Sequence, residues 1–406
     1  MTDPTKRAAT EAEKMTLTAA GAIVFGYAVS LGLKYVAWTW IVDAHGRPIL
    51  EDFVTLWAAG KTALGGMALR AYDGHAQHAA EAATVGHGFD GLLGWYYPPV
   101  FLFVAAALAS LPYALAFLTW MAGTLGLYAA VVAAIVRRRL AFLVACAAPW
   151  VVTTILPGQN GFLTASLVGL VFLQLEKRPA IAGLLLGLLS YKPQFGILFP
   201  LALAAGGYWR AFGWAAFGTL FWNILAGWVF GFATLGGFFY GLVTSTQIHL
   251  ATDGLGWNKV LSVYSLACAL GASAAAASSI QLVTTCALGA GVVAAWRSDL
   301  PYPLKTAALV AAIPLATPYL LIYDLPVLAV ALAFLFRHRA FDRIEFAIMA
   351  FGSACLFPLP SFPLPLPLCA SLAVSAMAAR RIYVALPRSR ISPSWATEAT
   401  SLPSSE

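Results

Sequence analysis

Residues 51–57 have the sequence EDFVTLW, and residues 94–99 have the sequence GWYYPP. These two stretches open and close the only long polar interval in a chain that otherwise consists of apolar runs. The 406 residues are 61% hydrophobic and 10% charged, whereas about a quarter of the residues in an ordinary soluble protein are charged. Many of the apolar runs approach the roughly 20 residues that span a bilayer. The composition therefore predicts an all-α, polytopic integral membrane protein.

The apolar runs predict a single membrane domain over residues 17–386 with about twelve transmembrane helices. We expect a cytoplasmic segment at residues 1–16 and a disordered cytoplasmic tail, rich in Ser, Thr and Pro, at residues 387–406. No small-residue cleavage site follows the first run, which predicts a retained helix and not a signal peptide. The predicted crossings are residues 17–38, 114–136, 140–156, 160–175, 179–191, 195–206, 212–230, 276–296, 303–319, 323–336, 344–357 and 367–384.

Short clusters of Lys and Arg separate the apolar runs and set the predicted orientation, because cytoplasmic loops hold the excess of these residues. The N-terminus is then inside, and residues 38–98 form a long first external loop that carries short surface helices. One of these is an aromatic-rich amphipathic stretch at residues 53–69. The other polar segments emerge on the same side as this loop: residues 157–160, 191–194, 231–262 and 323–324. The orientation predicts that the polar groups converge on the external face.

Two adjacent acids, Glu51 and Asp52, follow the first predicted crossing. They either belong to a solvated loop or place a carboxylate at the membrane surface, where it deprotonates a hydroxyl delivered from outside. The chain has only 17 Asp and Glu residues, and this pair directly precedes the amphipathic stretch. These two observations favour the catalytic interpretation of Asp52.

Lys192 lies between two short apolar segments and next to Pro193. A cation in such a place is costly unless it meets water or an anion. It either snorkels to the membrane interface or binds a phosphate, for which a compact ammonium group is well suited. Gln194 and Lys259 are further candidates for the same phosphate.

Two polar pairs also have both a structural and a functional interpretation. Gln159 and Asn160 follow a Pro-Gly turn and either cap the next helix or donate hydrogen bonds to a sugar or phosphate. Tyr96 and Tyr97 precede two prolines and belong either to an interfacial aromatic belt or to a platform that stacks on a sugar.

Several classes of function are disfavoured. The sequence has no Gly-rich phosphate loop, GxSxG motif or dinucleotide fingerprint, so a soluble nucleotide-binding domain is not expected. The histidines of the external loop lack metal-ligand spacing, and we expect no metal and no cofactor. The scattered basic residues give no nucleic-acid surface. The predicted helix centres contain no acid, which argues against an ion-coupled transporter.

Several short motifs, taken in order, resemble glycosyltransferase family 87, a family within the GT-C class of membrane glycosyltransferases. The matching stretches are residues 52–53, 71–73, 96–99, 111–112, 158–160, 182–184 and 192–193, with a weaker match at 317–318 and 323–324. This chain departs from the family at residues 55–57, TLW, where the family often has a Tyr-Tyr pair.

The resemblance implies a GT-C-like fold and a polyprenyl-phosphate sugar donor, often a mannose donor. The sugar would pass to a lipid or glycan acceptor, and Asp52 matches the position of the family's general base. The expected substrate-binding residues are Glu51, Tyr96, Tyr97, Gln159, Asn160, Lys192, Gln194 and Lys259.

The resemblance also implies a bacterial inner membrane as the location, with the active site facing outside. Two alternatives remain. A flippase for lipid-linked sugars would share the cationic cavity but would need no general base, and a purely structural subunit would tolerate the loss of both Asp52 and Lys192.

Overall fold

The computed structural model describes residues 4–91, 93–251, 260–356 and 364–386. Within these ranges the chain is helical, and the β-structure there consists of isolated bridges such as the one between Trp40 and Val42. The all-α class that the apolar runs predict is therefore confirmed.

The α-helices are numbered in chain order. They are α1 Pro4–Val36, α2 Asp52–Leu64, α3 Gly74–Val85, α4 Leu102–Ala109, α5 Tyr113–Val136, α6 Leu140–Cys146, α7 Trp150–Ile155, α8 Gly161–Gln174, α9 Pro179–Leu188, α10 Pro193–Gly196, α11 Phe199–Ala205, α12 Trp209–Phe230, α13 Ala233–Ala251, α14 Val263–Ala269, α15 Ala274–Arg297, α16 Tyr302–Ala312, α17 Pro326–His338, α18 Arg343–Ala354 and α19 Leu368–Ala385. Short 3₁₀ helices occur at Ala68–Tyr72, Pro99–Phe101, Leu189–Tyr191, Ile313–Leu315 and Ile322–Asp324.

Five of the described helices are long and apolar enough to cross a membrane: Glu13–Val36 within α1, and α5, α12, α15 and α19. On α12, large apolar side chains such as Phe217, Leu220 and Trp228 point away from the protein. An exposed apolar surface of this kind is what lipid contact requires. The membrane character is supported, and the number of about twelve crossings stays a prediction.

Prolines interrupt two of the expected crossings. Residues 140–156 form α6 and α7 because Pro149 lacks the N–H that a continuous helix would use. In the expected crossing at residues 303–319, the α-helix ends at Ala312, next to Pro314.

The expected external loop at residues 231–262 contains a helix, α13 Ala233–Ala251, and its place on the external side stays a prediction. Glycines at positions 236, 237 and 241 weaken the helical pattern of this segment in the sequence. Lys259 and the expected tail at residues 387–406 lie outside the described residues.

Helix α2 is buried on nearly all sides over its first two turns, which differs from the surface helix expected at residues 53–69. Phe53 and Val54 are fully buried. The indole Nε1 of Trp57 donates to the carbonyl oxygen of Leu111 at 3.2 Å. The exposed side chains Lys61 and Leu64 lie near the C-terminal end of the helix. Asp52, the first residue of α2, is therefore carried on a firmly packed helix.

Helix α9 packs closely on α12 through small residues. A Cβ atom added at Gly187 would lie 2.7 Å from the carbonyl carbon of Gly218, so the two backbones meet without side chains between them. Small residues permit this approach of membrane helices. The contact fixes the end of α9, and the 3₁₀ helix Leu189–Tyr191 leads from there to Lys192.

Arg381 joins three helices at the end of the molecule where α17 stops. Its Nε and Nη2 atoms donate to the two carboxylate oxygens of Glu345 at 2.6 and 2.7 Å. Its Nη1 atom also donates to the carbonyl oxygens of Leu335 and Arg339. Both Arg381 and Glu345 are buried. Arg381 on α19 thus holds α18 and satisfies carbonyl groups at the end of α17.

We expect Arg381→Met to lower the free energy of unfolding by about 3–5 kcal/mol, because the buried carboxylate of Glu345 would lose its buried cation and keep only the half-exposed Arg380 at 3.5 Å. The thermal midpoint in detergent measures the loss. Arg343→Met on the exposed surface of α18 is the matched control and should change stability by about 0.5 kcal/mol or less. Equal midpoints for the Arg381 variant and the wild type would contradict this account of the contact.

Candidate functional site

Four segments that are distant in the sequence meet around the start of α2. The backbone N–H of Phe53 donates to the carbonyl oxygen of Pro157 at 3.0 Å. A Cβ atom at Gly161 would lie 1.9 Å from the carbonyl oxygen of Tyr323, so only glycine fits at this contact. The hydroxyl of Tyr72 donates to the carbonyl oxygen of Tyr97 at 3.0 Å. The loop before α8, the turn before α17 and the segment before Pro99–Phe101 are thereby fixed around Asp52.

The carboxylate of Asp52 is half-buried at the first position of α2. The preceding residue, Glu51, has extended backbone torsions, φ −142° and ψ 169°, so the helix begins abruptly at Asp52. A negative charge is favoured there by the N–H groups of the first turn. Gln159 donates from Nε2 to Asp52 Oδ2 at 2.8 Å. Asp52 is thus held as an oriented carboxylate.

Tyr97 fixes the orientation of Gln159. Its hydroxyl donates to Gln159 Oε1 at 3.0 Å. Because the hydroxyl meets the amide oxygen, the amide nitrogen is directed to Asp52. Tyr97, Gln159 and Asp52 therefore form a hydrogen-bonded relay in which each side chain orients the next.

The hydroxyl of Tyr97 is buried near the carboxylates of Asp52 and Asp324. Burial raises the pKa of its hydroxyl well above the ordinary value, and the carboxylates of Asp324 and Asp52 add to this shift. Tyr97 is therefore neutral over the physiological range and acts as a hydrogen-bond donor. Because both carboxylates act on Tyr97, the relay lies close to the pair that Asp324 forms.

Lys192 forms a buried ion pair with Asp324. The distance from Lys192 Nζ to Asp324 Oδ1 is 2.5 Å, and the two side chains are only 4% and 3% exposed. Asp324 Oδ2 also accepts the backbone N–H of Leu321 at 3.2 Å. The sequence predicted that Lys192 needs an anion, and the structure provides one. This anion is the carboxylate of Asp324, which belongs to the chain itself. The snorkelling alternative is wrong, since the ammonium group is buried.

Aromatic side chains pack the turn at residues 95–101 against the turn that precedes Lys192. Phe101 stacks on Tyr191 with ring centroids 4.7 Å apart, and Tyr97 contacts Phe101 at the same separation. The hydroxyl of Tyr191 lies 2.5 Å from Thr164 Oγ1 in α8. The ring of Tyr97 is thus occupied by protein contacts.

The other expected binding residues lie in different environments. Glu51 is exposed, and Tyr96 and Gln194 are half-buried. Asn160 is buried at the N-cap position of α8, yet its side chain makes no capping hydrogen bond in the described part of the chain. The capping alternative for Asn160 is therefore wrong. Lys259 lies outside the described residues.

Sequence reasoning missed Asp324 as a site residue, although the Tyr-Asp pair at 323–324 directly precedes a helix that begins with proline. The signal was the presence of an acid between two long apolar runs, where an unpaired charge is costly. It also missed Gln77 and Glu81, two polar residues that are fully buried on α3.

A comparison with protein families gives a match that covers more than half of the chain. The matching model, described as glycosyltransferase family 87, spans residues 95–322. Neither the curated proteins nor the solved structures contain a match to this chain. The matched residues include Tyr97, Gln159 and Lys192, while Asp52 precedes them. Together with the membrane helices and the ordered carboxylate site, this match shows that the chain belongs to glycosyltransferase family 87.

Proposed function

We propose that this glycosyltransferase transfers a sugar from a polyprenyl-phosphate donor to a hydroxyl of a lipid or glycan acceptor, with Asp52 as the general base. The observation that carries the proposal is the relay in which Tyr97 orients Gln159 and Gln159 orients Asp52. A general base must be held within hydrogen-bond reach of the proton it removes. A half-buried carboxylate at a helix start, fixed by a neutral amide, meets this requirement.

The reaction is a single displacement at the anomeric carbon. The acceptor oxygen forms a bond to that carbon while the bond from the carbon to the phosphate oxygen breaks. Asp52 takes the acceptor proton, and polyprenyl phosphate leaves with the electron pair of the broken bond. One displacement inverts the anomeric configuration of the sugar, and the product should show this inversion.

The departing phosphate gains negative charge, and Lys192 is the candidate to stabilise it. In the structure the ammonium group is already paired with Asp324. An ammonium group has three donors, so it can keep Asp324 and accept a second anion. The proposed role of Lys192 is therefore to bridge Asp324 and the donor phosphate, with its position set by Asp324 before the donor binds.

We expect Tyr97→Phe to lower kcat by about tenfold, with little change in KM, because removing one hydrogen bond of about 1 kcal/mol frees the Gln159 amide to rotate. Steady-state transfer by purified protein in lipid measures the effect. Tyr383→Phe, on the exposed surface of α19, is the matched control and should behave as the wild type. An unchanged kcat in the Tyr97 variant would contradict the relay.

The donor class is tested by offering purified, reconstituted protein a set of polyprenyl-phosphate hexoses and pentoses beside the corresponding nucleotide sugars, with a crude lipid extract as acceptor. We expect transfer from at least one polyprenyl-phosphate sugar and none from a nucleotide sugar. Transfer from the nucleotide sugars alone would contradict the proposal.

The proposed location is the bacterial inner membrane, with the Asp52 site on the external face. The Lys and Arg clusters between the apolar runs support this orientation. A single-cysteine variant of the protein, labelled at position 90 in the exposed part of the first loop, should react with a membrane-impermeant thiol reagent in intact cells.

A further inference from the structure

Glu81 is a fully buried carboxyl group on α3 that the proposed reaction does not use. Gln77, one helical turn earlier, donates from Nε2 to Glu81 Oε1 at 3.0 Å. The same amide group donates to the carbonyl oxygen of Thr55 at 3.2 Å. Thr55 lies three residues after Asp52, in the first turn of α2. The polar face of α3 is therefore attached to the turn that carries the general base.

The environment of Glu81 differs from that of the other fully buried acids in the described residues. Asp324 is paired with Lys192, and Glu345 is paired with Arg381. No described Lys, Arg or His side chain lies within ion-pair distance of Glu81. An ionised carboxylate without a cation is strongly disfavoured in such a place, whereas a neutral carboxyl both donates and accepts hydrogen bonds.

The groups that face Glu81 come from three elements. They are Gln77 and His78 on α3 itself, Thr55 on α2, and Tyr96 in the segment before Pro99–Phe101. Burial raises the pKa of Glu81 above its ordinary value, and the hydrogen bond from Gln77, the nearby hydroxyl of Thr55 and the charge of His78 oppose the shift only in part. Its burial, and the lack of a cation near it among the described residues, therefore both make the Glu81 carboxyl harder to ionise than usual.

We propose that Glu81 is a positioning residue that acts in its neutral form: it holds the Gln77 amide that ties α3 to the carbonyl oxygen of Thr55 in α2, and this clamp fixes the direction of the Asp52 carboxylate. The inference rests on the proposed function, because the direction of the Asp52 carboxylate affects sugar transfer only if Asp52 is the general base. Ionisation of Glu81 would place an unpaired charge beside Thr55 and loosen the clamp.

The first arm of the test measures stability as a function of pH. A raised pKa in the folded state means that the contribution of Glu81 to stability is complete at low pH and is lost as the pH rises through the folded-state value. Glu81→Gln keeps an acceptor and a donor but cannot ionise. We expect the thermal midpoint of Glu81→Gln to exceed that of the wild type by a gap that widens between pH 5 and pH 9. Asp90→Asn, which changes an exposed acid in the same loop, should show no such gap.

The second arm measures transfer per folded molecule. We expect Glu81→Ala to lower kcat by about 10- to 100-fold with an unchanged KM, since misplacement of a catalytic group by about 1 Å has effects of this size. Glu81→Gln should restore kcat and keep it at a higher pH than the wild type does. A purely structural role would reduce the folded fraction and leave kcat and its pH profile unchanged.

The outcomes separate this inference from the proposed function. Identical pH profiles of midpoint and kcat for Glu81→Gln and the wild type would overturn the neutral clamp. If the wild type transfers no sugar, the proposed function fails and the positioning role fails with it, while the midpoints still decide whether α3 is held by a neutral carboxyl.

Discussion

Asp52→Asn is expected to lower kcat for sugar transfer by about 1000-fold, within the range of 10²–10⁴ that general base catalysis contributes. Asparagine has the shape of aspartate, its Oδ1 atom can still accept from Gln159, and it is well tolerated at a helix start. The variant therefore keeps the packing of α2 and loses only the ability to take a proton. Steady-state transfer by purified protein, with a thermal midpoint for each variant, measures the effect.

The control for this substitution is Glu51→Gln at the neighbouring acid. Glu51 is exposed and directly precedes α2, and as an expected substrate-binding residue it should affect KM, so we expect kcat to fall by no more than about threefold, equivalent to less than 1 kcal/mol. Full activity of Asp52→Asn would exclude Asp52 as the base, and a large loss in Glu51→Gln alone would transfer that role to its neighbour.

The Lys192–Asp324 pair has the second largest expected effect, and a double variant separates its structural and chemical roles. Lys192→Met leaves a buried carboxylate, and Asp324→Asn leaves a buried ammonium group. Each single change should lower the free energy of unfolding by about 3–5 kcal/mol. The double variant Lys192→Met/Asp324→Asn removes both charges and keeps an acceptor for the N–H of Leu321, so its stability should return to within about 1–2 kcal/mol of the wild type.

Transfer by the double variant then decides what Lys192 does. If Lys192 stabilises the departing phosphate, the folded double variant should have a kcat about 10²- to 10³-fold below that of the wild type, the loss typical of removing one transition-state donor. Wild-type kcat in the stable double variant would show that the pair serves the fold alone.

The features of the fold and the site that can be predicted from the sequence depend on local signals. The helical membrane class follows from the apolar runs, whereas the break at Pro149 inside the expected crossing at residues 140–156 was not predicted. The convergence of polar segments on one face was inferred from the positions of Lys and Arg. The structure brings Asp52, Tyr97 and Gln159 of those segments into direct contact.

The parts that it missed depend on tertiary contacts. Lys192 and Asp324 are 132 residues apart, and no periodicity or spacing in the sequence relates one position to the other. Helix α3 is short and rich in alanine and polar residues, so its sequence does not reveal that the face carrying Gln77 and Glu81 is the buried one. Tyr97 was expected to bind a sugar, and its role in orienting Gln159 follows only from the direction of its hydroxyl.

The most direct test of the central claim follows the fate of a labelled donor. Purified wild-type protein would be reconstituted into vesicles with acceptor extract and polyprenyl-phosphate mannose that carries separate labels on the sugar and on the polyprenol. We expect the sugar label to enter a new product while the polyprenol label is recovered as polyprenyl phosphate. If both labels stay together and the intact donor only changes leaflet, the protein moves lipid-linked sugar without chemistry, and the proposed reaction is contradicted.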